Sequence, residues 1–235
     1  MRLNIQQLSV RLETVAGFVP KNPRLADIGS DHAYLPCVLA ARDVVSYALA
    51  GEVVKGPFES AAEQIKTSGV GDRVSARLGD GMDVIETTDD INVVTICGMG
   101  GDLISKILEK GRLKDKLVGV ERLILQPNNG EKKLREWLIG HQYKIIDETI
   151  LEENGKIYEI LVAEKAESPE NYTDLEYSFG RFLLQEKNDI FRKKWSAEID
   201  KCQYILDSMQ KASNDLNEKE QQVINKINEI KDVLK

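Results

Sequence analysis

Arg24-Leu25-Ala26-Asp27-Ile28-Gly29-Ser30-Asp31-His32 joins a short apolar strand to an acidic turn with a single glycine. The chain then repeats the pattern of strand, turn and helix. A helical stretch at 33–41 leads to a second strand at 46–51 that ends at Glu52. A helix at 57–68 and a third strand at 74–78 come next. The β-branched run at 91–97 has the pattern of a central strand covered on both faces. Helix 103–108, strand 121–125, helix 132–139 and strands 143–150 and 156–163 complete the series, with Glu152-Glu153-Asn154-Gly155 as a hairpin turn. Strand–helix alternation closed by a hairpin predicts an α/β, Rossmann-like fold whose seven-stranded sheet is parallel except for one strand.

Two flanking pieces have a different character. Before the first strand, Leu3 or Ile5, Leu8, Leu12 and Val15 recur at steps of three and four, predicting an amphipathic helix over 3–16 that Pro20 and Pro23 end. Past Ser168-Pro169 glycine nearly disappears. Trp195, Ile199, Cys202, Leu206 and Met209, then Val223, Ile227, Ile230 and Leu234, form two heptad-like seams. Ser213-Asn214-Asp215 separates them, with Asp215 and Glu218 as a capping box. The expectation is a domain over 1–167 and a C-terminal helical coiled-coil hairpin over 168–235, docked through 175–184.

In an open α/β sheet, ligands bind beyond the carboxyl ends of the strands. Gly29 permits a tight turn there, Ser30 offers a hydroxyl and an N–H, and Asp27 and Asp31 can accept from an ammonium group. Asp31 stands where a dinucleotide fingerprint would have its second glycine. The acidic turn repels pyrophosphate and suits S-adenosyl-L-methionine, which carries an amino acid and a sulfonium. Glu52 has the position of a ribose-binding acid, and Asp80 with Gly81 follows strand three as an adenine-amine acceptor. Gly98-Met99-Gly100-Gly101 leaves space for close approach, and Gln126-Pro127-Asn128 presents amides on a rigid turn. Arg11 can pair with a cofactor carboxylate, His32 can serve as a structural hydrogen-bonder or a proton carrier, and Tyr34 stands at the start of the flanking helix. His141, Trp137 and Trp195 read as packing residues.

A 42% hydrophobic, 30% charged composition is that of a soluble globular chain. No apolar run suggests a secretory signal or membrane helix. Three separated cysteines point to buried thiols in a reducing, cytoplasmic setting. Two isolated histidines argue against a metal site. The net charge of −7 weighs against nucleic acid, but basic residues cluster at 106–116, at 132–135 and in Arg192-Lys193-Lys194, so a basic face stays open. The oligomeric state is also open, with a slight preference for a monomer.

The string Asp27-Ile28-Gly29-Ser30-Asp31-His32-Ala33-Tyr34-Leu35-Pro36 resembles the first motif of the bacterial TrmK family, tRNA methyltransferases acting on N1 of adenine 22. Gly51-Glu52-Val53, Gly79-Asp80-Gly81, Gly98-Met99-Gly100-Gly101 and Gln126-Pro127-Asn128 stand where that family has its later motifs, and the likeness extends over nearly the whole chain. The resemblance implies a class I methyltransferase with tRNA as partner. Asp27, Gly29, Ser30 and Asp31 would surround the methionine moiety, Glu52 the ribose, and Asp80 and Gly81 the adenine, with Gly98 on the cofactor side. Met99, Gly100, Gly101, Gln126 and Pro127 would line the path of the target base, which Asn128 or Tyr34 would orient. Two other readings remain open on the sequence: a methyltransferase with another acceptor, and a non-catalytic cofactor-binding module whose coiled coil contacts proteins.

Overall fold

The structure, a computed structural model, describes residues 7–212 and 218–235. Its centre is one seven-stranded sheet in the order β3-β2-β1-β4-β5-β7-β6. The strands are β1 (Arg24–Ile28), β2 (Tyr47–Glu52), β3 (Val74–Leu78), β4 (Val93–Met99), β5 (Arg122–Pro127), β6 (Tyr143–Glu153) and β7 (Lys156–Lys165). β1 to β5 run parallel, and β7 inserts antiparallel between β5 and β6. Asn154 and Gly155 take φ of 52° and 73° at the β6–β7 turn, the two left-handed residues of a type I′ hairpin. The strand order reverses between β1 and β4, which opens a crevice at their carboxyl ends.

Both faces of the sheet are covered. Val93, Val94, Thr95 and Ile96 of β4 are all buried, so the strand has no solvent side, as its unbroken β-branched run predicts. On one face, α4 (Gly101–Leu113) contributes Ile104 and Leu108, and α5 (Glu131–Gly140) contributes Leu134 and Leu138. On the other, α1 (Val10–Gly17), α2 (Tyr34–Ala41) and α3 (Lys55–Ser68) pack through Val15, Leu35, Leu39, Ala61 and Ile65.

The expected first helix is shorter. Ser9 accepts the Leu12 N–H at 3.2 Å and starts α1 at Val10, leaving Leu8 outside the helix; Leu3 and Ile5 lie outside the described residues. Helix α4 begins at Gly101 and runs to Leu113, longer than the periodicity over 103–108 suggested.

Two short helices, α6 (Asp174–Phe179) and α7 (Arg181–Glu186), lead to α8 (Asp189–Ala212) and α9 (Glu218–Leu234). The last two pair antiparallel: Arg192 near the start of α8 donates to the Leu234 carbonyl, and Glu198 meets Lys226. Phe179, Leu183, Phe191 and Ile230 seat this tail against Ile150 of β6. The break at 213–215 and the capping box from Asp215 lie outside the described residues.

Most described cations of the basic clusters are paired with acids. Lys106, Lys110, Arg112 and Lys114 pair with Asp102, Asp80 and Asp83, Glu109, and Asp83 respectively. Lys193 pairs with Glu152, and Lys194 with Glu131 and Glu159. Arg135 is fully buried. Sequence proximity of cations says nothing about the acids that folding brings beside them. No described helix is long and apolar enough to cross a membrane, and no described group of His, Cys, Asp and Glu could hold a metal ion.

Candidate active site

A cavity of 640 Å³, within the usual size of small-molecule sites, opens at the β1/β4 crevice. Of the residues singled out in the sequence, Arg11, Asp27, Gly29, Ser30, Asp31, Tyr34, Gly98, Met99 and Asn128 line it. Gln7, Leu8, Ser9, Leu12, Leu35, Cys97 and Tyr158 complete its wall.

Asp27 is the next-to-last residue of β1, and its carboxyl is buried. One oxygen accepts from the Ser30 hydroxyl at 2.6 Å and the other from the Thr95 hydroxyl on β4, also at 2.6 Å. Burial pushes the Asp27 carboxyl above its ordinary value; the two hydroxyls and the Arg11 charge act the other way. Beyond it the backbone turns sharply, with Asp31, His32 and Ala33 at φ of 40°, 65° and 55°. Three successive non-glycine residues in the left-handed region are costly, so the turn is held by its surroundings. The Gly29 and Ser30 N–H groups donate to the Gly51 carbonyl at 2.9 and 3.2 Å, and the Asp31 N–H donates to the Glu52 carboxylate. The turn is thus bound to the end of β2.

Opposite stands Arg11 of α1. Its guanidinium donates to the Gln126 side-chain oxygen and lies 5.5 Å from the centre of the Tyr158 ring. A fixed cation and a buried acid therefore face one cavity. That donor set fits the zwitterionic end of an amino acid: a carboxylate toward Arg11, an ammonium toward Asp27. Along the sheet edge, Glu52 is followed by Val53, and β3 ends in Leu78; both apolar side chains are more than half exposed. Both flank Glu52, which is itself buried, pairs in register with Leu78 and lies off the cavity wall. The chain's own residues fit S-adenosyl-L-methionine.

Other expected site residues lie off the cavity wall. His32 packs 5.5 Å from the Tyr34 ring with Nε2 3.4 Å from the Asp31 carboxylate, an arrangement that braces the turn. Asp80 holds Lys110 at 2.7 Å, and Gly81 opens a 3₁₀ turn. Gly100 and Gly101 do not leave room for a base. A Cβ on Gly101 would stand 2.3 Å from the Gly130 carbonyl oxygen, and one on Gly100 3.1 Å from the Asn129 side chain, so their own chain fills that space. Gln126 and Pro127 are buried, and neither faces the opening. Cys97 is only partly buried, and burial raises its thiol pKa with Asp27 adding to the effect, so it is an inert wall residue.

Sequence reasoning missed Tyr158 and Thr95. Tyr158 comes from the returning hairpin strand, outside the motifs at the ends of the parallel strands. Thr95 sits inside an apolar run, where a lone hydroxyl was a signal that the strand serves a polar neighbour.

The family description TrmK, tRNA (adenine(22)-N(1))-methyltransferase, matches residues 25–232. The chain belongs to this family. It is 47% identical over 216 residues to the tRNA (adenine(22)-N(1))-methyltransferase of Bacillus subtilis, covering 90% of each chain. A Streptococcus pneumoniae putative tRNA (m1A22) methyltransferase, solved with S-adenosyl-L-methionine, superposes with a TM-score of 0.89 at 44% identity, covering 97% of this chain and 100% of the other. The Mycoplasma capricolum TrmK complex with S-adenosyl-homocysteine superposes at 0.84 and 28% identity, covering 97% and 99%. TrmK membership makes the β1/β4 cavity the place to look for chemistry.

Proposed function

We infer that the chain is an S-adenosyl-L-methionine-dependent tRNA methyltransferase that modifies N1 of adenine 22. The observation that carries this reading is the cavity at the strand-order reversal, with Arg11 and Asp27 opposed across it, in a chain matched to the family over residues 25–232. S-adenosyl-L-methionine supplies an electrophilic methyl group, which the adenine N1 lone pair displaces from sulfur. N1 needs no prior deprotonation, so the chain's task is alignment and exclusion of water.

Arg11 and Asp27 hold the amino-acid end, with Ser30 and the Thr95 hydroxyl fixing the Asp27 carboxyl. Glu52 holds the ribose, and the exposed Val53 and Leu78 beside it receive the adenine ring. Asn128 and Tyr34, both exposed at the rim, orient the target base, the Asn128 amide oxygen accepting from its N6 amino group. That oxygen also stabilises the positive charge that develops on the ring. Leu8, Leu12 and Leu35 keep water from the transferring group. The target base must leave its stack, at a cost of a few kcal/mol. A second groove, lined by Asn128, Asn129, Lys132 and Trp195 and by Glu131, Glu198 and Glu229, with Lys226 paired to Glu198, leads from the rim to the helical tail. It is the path along which the flanking RNA lies.

Incubating the protein with tRNA and S-adenosyl-L-methionine, then digesting the RNA to nucleosides for mass spectrometry, tests the reading. One 1-methyladenosine per tRNA is expected, lost when adenine 22 is replaced by guanine. Methylation that survives this replacement, or that goes to protein alone, overturns it.

A further inference from the structure

Gln126 has no surface in the cavity, yet all of its side-chain hydrogen-bonding capacity is used. It is fully buried at the end of β5, paired in register with Cys97 of β4. Its Oε1 accepts from Arg11 Nη1 and from the Gly98 N–H, the latter at 3.0 Å. Its Nε2 donates to the Pro127 carbonyl at 2.8 Å and to Asn128 Oδ1 at 3.2 Å. Two donors meet the oxygen and two acceptors meet the nitrogen, so only one amide orientation satisfies the set. The partners are unlike in kind. Arg11 belongs to the cofactor side. Gly98, at φ 77°, is the bulge residue where the β4–β5 register shifts. Asn128 faces the target base, and its Nδ2 donates to the Gly98 carbonyl at 2.7 Å. With Nδ2 held there and Oδ1 touched by Gln126, Asn128 presents one remaining N–H and one remaining lone pair in a fixed direction.

We propose that Gln126 is a positioning residue: it sets the Asn128 amide toward the target base and couples that setting to Arg11 and the Gly98 bulge. The inference rests on the methyltransferase reading and names a residue that acts through Asn128 without touching substrate.

Gln126→Glu keeps an oxygen for Arg11 and Gly98 but, when ionised, loses both N–H donors. Because the glutamate oxygen still holds Arg11 in place, its affinity for S-adenosyl-homocysteine by calorimetry falls less than that of Gln126→Leu. Its single-turnover methylation of tRNA at pH 8 falls about a hundredfold, the scale of a reacting group set out of line. The rate recovers as the pH is lowered and the carboxyl regains an O–H donor toward Asn128, a recovery the parent does not show. Asn128→Ala costs less in the Gln126→Glu background than alone. Gln126→Leu removes both halves, so affinity and rate both fall, no pH recovers them, and amide exchange at Gly98 accelerates. An unchanged rate in Gln126→Glu, a loss without pH recovery, or fully additive losses with Asn128→Ala overturns the proposal. If the parent leaves tRNA unmethylated, the substrate reading fails instead. The junction is then decided by Gly98 exchange and the split in cofactor affinity, and equal affinities for the two variants overturn it.

Discussion

Asp27 places a carboxyl where burial disfavours its charge. Burial, the largest cause, raises its carboxyl above the ordinary 3.8. An acid whose folded pKa is raised contributes stability below its unfolded value, and that contribution is lost as pH rises through the folded one. Ionising Asp27 is therefore a cost to the fold, of the kind tolerated at a binding site. Asp27→Asn should leave the melting temperature equal or a few degrees higher at pH 8, with the gap to the parent narrowing toward pH 4. Cofactor affinity should fall about 10- to 150-fold, the worth of a hydrogen bond to a charged group. Thermal melts across pH and calorimetry check both halves. A melting temperature that drops at pH 8, or unchanged affinity, would show that the carboxylate stabilises the fold and not the ligand.

At the scale of elements, the loop from Met99 into α4 and the loop after β5 hold each other. The Asn128 N–H donates to the Met99 carbonyl at 2.7 Å, and the Gly101 N–H to the Asn129 carbonyl at 2.7 Å. Helix propensity alone favours Gly101→Ala by about 1 kcal/mol. The methyl would press on the Gly130 carbonyl, and such overpacking costs about 1–3 kcal/mol. The clash should win: Gly101→Ala lowers the melting temperature by several degrees, whereas Gly140→Ala, whose Cβ meets nothing within 4 Å, raises it slightly. Scanning calorimetry of the two variants decides the sign, and a stabilised Gly101→Ala would refute the packing account. The pair also marks what was legible beforehand. The strand run 24–28 falls where the structure has it, because apolar burial on both sheet faces writes directly into residue type; the edge run 74–78 does too, although only Val74 of it is buried. The acidic turn at 27–31 was legible for the same local reason: its chemistry is contiguous. The Gly100–Gly101 pair was misread as ligand space because a glycine reports that something comes close, not whether it is a base or a distant carbonyl. Tyr158 meets Arg11 across more than a hundred residues, which spacing cannot express.

The whole molecule is bound together by a buried charge network that the sequence showed only as part of a basic cluster. Arg135 of α5, fully buried, donates to Glu148 of β6 and to Glu159 of β7, and Nη1 reaches the Tyr177 carbonyl of α6 at 3.2 Å. Glu148 also accepts the Phe182 N–H of α7 at 3.0 Å, and Glu159 accepts from Lys194 of α8 at 2.7 Å. Gly180 is tied to the same centre, since a Cβ there would stand 2.8 Å from the guanidinium. The sheet edge, the two short helices and the long tail thus meet in one network of two cations, Arg135 and Lys194, and two carboxylates. A buried pair is weak evidence for net stability, but removing one partner strands the others without compensation at about 3–5 kcal/mol. For a chain of this length, Arg135→Met should lower the melting temperature by roughly 6–20 °C. Below the transition, hydrogen exchange should accelerate first in α6, α7 and the start of α8, while S-adenosyl-homocysteine still binds, because the network and the β1/β4 cavity share no residue. The further replacements Glu148→Gln and Glu159→Gln should recover part of the loss, since the stranded charges are its source. If Arg135→Met melted with the parent, or lost cofactor binding while the tail kept its protection, the network would not be what holds the tail to the catalytic sheet.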